Sequence, residues 1–108
     1  MDKPRAVIIG AGDGLSASLA RELARDHSLT LAARSGERMK AVAEETGADT
    51  VLLDATDEAA VKALFDASPT PPRVVIYNPS MRVRGPVADL AAEDVRRAVE
   101  VTAIGAFL

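Results

Sequence analysis

The amino-acid sequence predicts a three-layer α/β fold, in which a doubly wound parallel sheet of four strands lies between two layers of helices. Short apolar runs rich in Val, Ile and Leu alternate four times with longer amphipathic segments. The apolar runs are nearly continuous, as in parallel strands that are covered on both faces. Right-handed crossovers leave few topologies for four βα units, and the order 3-2-1-4 is favoured.

The first two βα units carry clear start and stop signals. Residues 5–10 form a β-branched run closed by glycine, and residues 28–33 form the second apolar run. The helix predicted over residues 37–46 has Ser35 at the capping position and Gly47 at its end. The helix predicted over residues 14–26 repeats apolar residues at helical spacing. Its predicted inner face consists of Leu15, Leu19, Ala20, Leu23 and Ala24.

The third and fourth units follow the same pattern. A strand over residues 50–53 precedes a helix over 57–67, and a proline-rich break at 68–72 precedes a strand over 73–77. The last helix is predicted from about residue 90 to the C-terminus. The residues predicted to face inward in the third helix are Val61, Leu64 and Phe65. One side of the last helix carries Val95, Ala98, Val99, Thr102, Ala103 and Ala106.

Composition excludes several classes of protein. A chain of 108 residues is one domain, and its net charge of -3 argues against a general nucleic-acid binder. The absence of cysteine excludes disulfides and thiolate chemistry, and a single histidine disfavours a histidine-rich metal site. No apolar stretch reaches the length of a membrane span, and the N-terminus does not resemble a signal peptide. We therefore expect a cytoplasmic protein without nucleic-acid or membrane partners.

The last residues, 102–108, are apolar on every side. A helix that is apolar all round is normally buried, yet nothing follows here to bury it. We therefore expect residues 1–108 to be part of a single truncated domain that ends within its fourth helix. The alternative is a small domain that dimerises through this helix.

A glycine-rich turn joins the first strand to the first helix. Residues 10–16 read Gly-Ala-Gly-Asp-Gly-Leu-Ser. Glycines in this place allow a tight turn and the close approach of a diphosphate, which the first amides of the helix then bind. The alternative is a turn that needs glycine only for packing. The residues predicted to contact a dinucleotide here are Gly10, Gly12, Asp13, Gly14, Leu15 and Ser16.

The end of the second strand indicates which dinucleotide binds. An NAD site places an acid there to bond the ribose 2′-hydroxyl, but this sequence has Arg34 and Ser35 instead. These side chains suit a 2′-phosphate, and Arg38 adds a second positive charge one turn later. Arg34 as a solvated loop charge is the alternative, and the negative Asp13 opposes phosphate binding. We predict NADP rather than NAD.

These motifs resemble the short-chain dehydrogenase/reductase family, whose cofactor domain is a Rossmann-type fold. The family turn is Thr-Gly-x-x-x-Gly-x-Gly: Gly10 and Gly14 match its first two glycines, while Ile9 and Ser16 replace the threonine and the third glycine. The resemblance implies that Asp54 and Ala55 border the adenine. It places Asn78 and Pro79, within Tyr-Asn-Pro-Ser for the family's Asn-Asn-Ala-Gly, near the adjoining ribose. Thr102 stands where the family has an asparagine that supports the catalytic lysine.

The resemblance implies an oxidoreductase that moves a hydride between NADPH and a carbonyl or alcohol. The family's catalytic serine and its Tyr-x-x-x-Lys motif are absent, since Met81 follows Tyr77 at the lysine position. This chain would then be the cofactor-binding half, inactive alone. Family members pack the fourth helix against a second subunit, which implies a homodimer or homotetramer.

Two alternatives stay open. The replaced family residues, Ser80 among them, also fit a non-catalytic NADP-binding module or sensor. A flavodoxin-like or receiver-type domain shares the βα alternation, but a receiver needs clustered acids after its first strand. Arg82 and Arg84 lie near the predicted crevice mouth, where solvated loop charges are more typical than ligand contacts.

Overall fold

A computed structural model describes residues 3–12, 14–68, 70–79, 81 and 83–108 of the chain. The predicted site residue Asp13, as well as Ser80 and Arg82, lies outside the described residues. The strands are β1 (Arg5–Ile9), β2 (Ser28–Ala33), β3 (Asp49–Leu52) and β4 (Val74–Tyr77). The first three helices are α1 (Leu15–Leu23), α2 (Gly36–Thr46) and α3 (Glu58–Asp66).

The four strands form one parallel sheet in the order β3-β2-β1-β4, which confirms the predicted fold class. Helices α1 and α2 cover one face, where Ile8 and Leu31 pack against Ala20 and Met39. Helix α3 covers the opposite face. Its Val61 and Leu64 belong to a second cluster with Val7, Ile9 and Ala32. Successive residues of β1 therefore point to opposite faces of the sheet and belong to two separate cores, as a three-layer fold requires.

Helix α1 packs through four of the five residues of its predicted inner face, since Ala20 is buried and Leu19, Leu23 and Ala24 are partly buried against the core. Leu15 is 66% exposed, whereas Ser16, Ala17 and Ala20 are buried. Small residues let the helix axis approach the sheet closely, so the larger Leu19 is only partly buried beside the core. The prediction was wrong for Leu15 because helical spacing fits a leucine face and a small-residue face equally well.

The boundaries of α2 follow its predicted signals. Ser35 is the N-cap residue, although its side chain accepts no hydrogen bond from the described residues of the helix. Gly47 ends the helix at a φ of 74°, a left-handed conformation that favours glycine. Helix α3 is capped by Asp57, whose side chain accepts a hydrogen bond from Ala60 N at 3.2 Å.

The C-terminal helix consists of α4 (Ala92–Val99), a π-helical segment (Glu100–Ile104) and a last turn, α5 (Gly105–Phe107). A short 3-10 turn, Val87–Asp89, precedes it. The side predicted to be apolar faces outward: Val95 is 41% exposed and Val99 51%. Val101 and Gly105 are buried instead. None of the helices in the described part of the chain is both long and apolar enough to cross a membrane.

Candidate cofactor-binding site

A groove of about 670 Å³ opens at the carboxyl ends of the strands. It lies where the chain crosses from β1 to β2 on one side and to β4 on the other, the place where ligands bind in open α/β sheets. Eight of the predicted site residues line it: Gly10, Arg34, Ser35, Arg38, Asp54, Ala55, Asn78 and Pro79. The lining residues that the sequence did not predict are Ile9, Ala11, Ala33, Glu37, Leu53, Met81 and Val101.

The glycines of the turn have different surroundings. Gly10 has a φ of +86°, and a Cβ there would lie 2.5 Å from Pro79 N. Glycine at this position is therefore needed for packing against the segment after β4. A Cβ on Gly12 or Gly14 would meet no described atom within 4 Å. The backbone at these two positions faces open space, which fits the approach of a diphosphate.

Ser16 joins the glycine-rich turn to the segment after β4. Its side chain is buried, and its hydroxyl donates to the Gly10 carbonyl at 3.3 Å. The same hydroxyl accepts a hydrogen bond from Asn78 Nδ2 at 2.9 Å. Asn78 also donates its backbone N–H to the Ile9 carbonyl at 2.9 Å. These bonds fix the turn relative to both central strands, while neither Ser16 nor the exposed Leu15 lines the groove.

Two guanidinium groups stand at the end of the groove beside β2. Arg34 and Arg38 are exposed, and neither forms an ion pair with another residue that the structure describes. Ser35, which lies between them in the sequence, lines the groove as well. Glu37 lines this end too and is the one carboxylate there among the described residues. Exposed guanidinium groups with a hydroxyl beside them suit a phosphate, because their donors match its oxygens.

Asp54, after β3, is held by contacts on both oxygens. Oδ1 accepts hydrogen bonds from Thr56 N at 2.9 Å and Thr56 Oγ1 at 2.7 Å, and Oδ2 accepts one from Arg97 Nη2 at 3.0 Å. The two hydrogen bonds from Thr56, and then the hydrogen bond and the charge of Arg97, lower the pKa of Asp54 from 3.8 to about 2. Sequence reasoning missed both partners. The Asp-x-Thr spacing signals a local turn, but nothing in the sequence points to Arg97.

Tyr77 and Gly105 bring the C-terminal helix close to the sheet. The Tyr77 hydroxyl donates a hydrogen bond to the Val101 carbonyl. The Gly105 N–H donates to the carbonyl of Glu100, five residues earlier. This five-residue hydrogen bond defines the π-helical segment, and the inserted hydroxyl accounts for it. Burial, with a contribution from Asp54, raises the pKa of Tyr77.

Thr102 belongs to the π-helical segment of the C-terminal helix. Its hydroxyl accepts a hydrogen bond from Met81 N at 3.3 Å, so it contacts the segment after β4. Thr102 itself does not line the groove, but the adjacent Val101 does.

The described residues include no group of three or more His, Asp or Glu side chains suited to a metal ion.

The same architecture occurs in solved structures of longer proteins. A short-chain type dehydrogenase/reductase from Mycobacterium marinum has a TM-score of 0.89 at 22% identity, over 98% of this chain and 47% of its own. A short-chain dehydrogenase from Rhodopseudomonas palustris has a TM-score of 0.82 at 25% identity, over 96% and 53%. Actinorhodin polyketide ketoreductase with NADPH has a TM-score of 0.85 at 26% identity, over 99% and 46%.

The chain thus spans about half the length of these structural relatives. Among curated proteins, no sequence matches it. The sequence model of the short chain dehydrogenase family, by contrast, matches residues 4–108, nearly the whole chain. Together with the strand order and the groove at the switch point, this match shows that the chain belongs to the short-chain dehydrogenase family.

Proposed function

We propose that this chain is the cofactor-binding part of an NADP-dependent oxidoreductase, which transfers a hydride between NADPH and a carbonyl or alcohol. The observation that carries the NADP preference is the pair of exposed guanidinium groups, Arg34 and Arg38, which line the β2 end of the groove beside Ser35 and form no ion pair with any described residue. The nearby Glu37 weakens the positive potential there, so the preference depends on contacts rather than on net charge.

The other proposed contacts follow from position. Gly12 and Gly14 leave their backbone open to the diphosphate at the start of α1, where unpaired amides and the helix dipole favour an anion. Asp54 and Ala55 form the wall for the adenine, and Asn78 and Pro79 the wall for the adjoining ribose. Ser16 and Gly10 keep the turn in place. When bound, NADPH supplies the hydride.

The experiment is a calorimetric titration of the full-length protein with NADP⁺ and NAD⁺. We expect tighter binding of NADP⁺. Arg34→Ala removes charge-assisted hydrogen bonds worth about 1.5–3 kcal/mol and should weaken NADP⁺ about 10- to 100-fold while leaving NAD⁺ unchanged. Lys40→Ala is the matched control, because Lys40 is exposed on the same helix as Arg38 but does not line the groove. Tighter binding of NAD⁺ would contradict the proposal.

We also propose that the protein is a homodimer or homotetramer through its C-terminal helix. The support is the outward apolar side of that helix, where Val95 and Val99 are 41% and 51% exposed. Apolar side chains clustered on one helix side favour association with a similar surface. Sedimentation velocity of the full-length protein measures the oligomeric state directly.

A further inference from the structure

Asp54, Thr56 and Arg97 form a closed cluster between two distant parts of the chain. Arg97 Nη2 donates to Asp54 Oδ2 at 3.0 Å, and Arg97 Nη1 donates to Thr56 Oγ1 at 2.9 Å. Thr56 in turn donates to Asp54 Oδ1 from its backbone N–H and its hydroxyl. Arg97 belongs to α4 and lies 43 residues beyond Asp54. The guanidinium fork therefore joins the C-terminal helix to the turn after β3.

Of the three residues in the cluster, only Asp54 lines the groove. Arg97 therefore approaches the carboxylate from the helix side. The Asp54 side chain stays 44% exposed despite its three hydrogen bonds. An ionised carboxylate has about four acceptor positions, so about one stays free for a donor in the groove.

We propose that Arg97 is a positioning residue for the adenine end of the site, and that it holds the Asp54 carboxylate ready to accept a hydrogen bond from the exocyclic amino group of adenine. The inference rests on the proposed dinucleotide function. A half-exposed aspartate without such a partner samples several rotamers, and a ligand that needs one of them loses affinity in proportion. Arg97 removes that loss before the ligand arrives.

A purely structural role for Arg97 predicts something different. If the ion pair only fastens α4 to the turn after β3, its removal lowers stability but affects all dinucleotides equally. The positioning role instead predicts a change in discrimination between adenine and hypoxanthine, because hypoxanthine has a carbonyl oxygen where adenine has its amino group. The ratio of the two dissociation constants therefore separates the two roles.

The test measures binding of NADP⁺ and of nicotinamide hypoxanthine dinucleotide phosphate to the full-length protein by calorimetry. We expect the natural protein to bind NADP⁺ about tenfold more tightly than the hypoxanthine analogue, as for one hydrogen bond to a charged acceptor. Arg97→Gln should reduce that ratio to about threefold or less, and Arg97→Lys should restore part of it. Arg96→Gln is the matched control, because the neighbouring Arg96 is exposed and pairs only with Glu93 among the described residues.

The outcomes distinguish the two proposals. An undiminished ratio in Arg97→Gln, with NADP⁺ still bound, overturns the positioning role and leaves the proposed function intact. A natural protein that binds NADP⁺ and its analogue equally also overturns it. A protein that binds neither NADP⁺ nor NAD⁺ overturns the proposed function, and this inference with it. Thermal unfolding of each variant, followed without ligand, confirms that the compared proteins are folded.

Discussion

Val7 on β1 and Val75 on β4 are direct neighbours in the sheet, yet their surroundings differ completely. The two residues are paired in the parallel register, but Val7 is 0% exposed and Val75 is 47% exposed. The difference extends to whole strands. Ala6, Val7 and Ile8 in β1 are all fully buried, whereas the residues of β4 are half-buried or exposed.

The helices of this fold are attached to the sheet in two different ways. Helices α1, α2 and α3 are held by buried apolar area, which is tolerant of small changes in position. The C-terminal helix buries only Val101 and Gly105, and it is held by individual polar contacts from Tyr77 and Arg97. Those contacts border the groove. The part of the fold with the smallest apolar core thus depends most on specific residues near the candidate site.

The largest expected effect comes from shortening the two paired valines. Val7→Ala removes fully buried methyl groups and should lower the free energy of unfolding by about 2 kcal/mol. Val75→Ala should cost less than about 1 kcal/mol, since half of that side chain is in water. Urea unfolding of the 108-residue chain, followed by circular dichroism, measures both. Equal losses would show that β4 is as well packed as β1.

The second effect concerns the close approach of the C-terminal helix. A Cβ on Gly105 would lie 2.1 Å from the Tyr77 hydroxyl and 3.1 Å from Ala55 O. Gly105→Ala should therefore destabilise the protein by about 1–2 kcal/mol, as overpacking does. Tyr77→Phe removes the nearest atom, so the double variant should be more stable than the sum of the two single losses predicts.

A glycine on α2 supplies the control for that cycle. A Cβ on Gly36 would lie 3.7 Å from Leu52 Cδ2, an ordinary contact. Gly36→Ala should be neutral or slightly stabilising, because alanine has the higher helix propensity. Strict additivity of Gly105→Ala and Tyr77→Phe in chemical unfolding would argue that the hydroxyl is not what limits the approach of the helix.

The same contrast explains how far the sequence predicts the structure. Strand order and the groove follow from the apolar runs and from the glycine turn, since burial and crossover handedness act on local patterns. The contact between Asp54 and Arg97 joins residues 43 apart and leaves no periodic signal. The π-helical segment depends on a hydroxyl from β4 in the same way. Leu15 is the opposite case: its helical spacing predicts a buried residue, but the structure leaves it exposed.

The smallest expected effect is electrostatic and tests how much the Asp54 carboxylate stabilises the fold through its contact with Arg97 of the C-terminal helix. Its pKa is lowered from 3.8 to about 2 in the folded protein, chiefly by the hydrogen bonds from Thr56 and further by Arg97. A lowered pKa adds stability that is complete above about pH 4 and is lost as the pH falls towards 2. Because the side chain is 44% exposed, solvent screening reduces this contribution to about 1 kcal/mol or less.

Asp54→Asn should flatten the dependence of unfolding free energy on pH between 4 and 2. Thr56→Val, which keeps the backbone donor, should give an intermediate slope. Urea unfolding at a series of pH values measures these slopes. Identical slopes in the natural protein and Asp54→Asn would mean that the cluster orders the carboxylate without stabilising the fold.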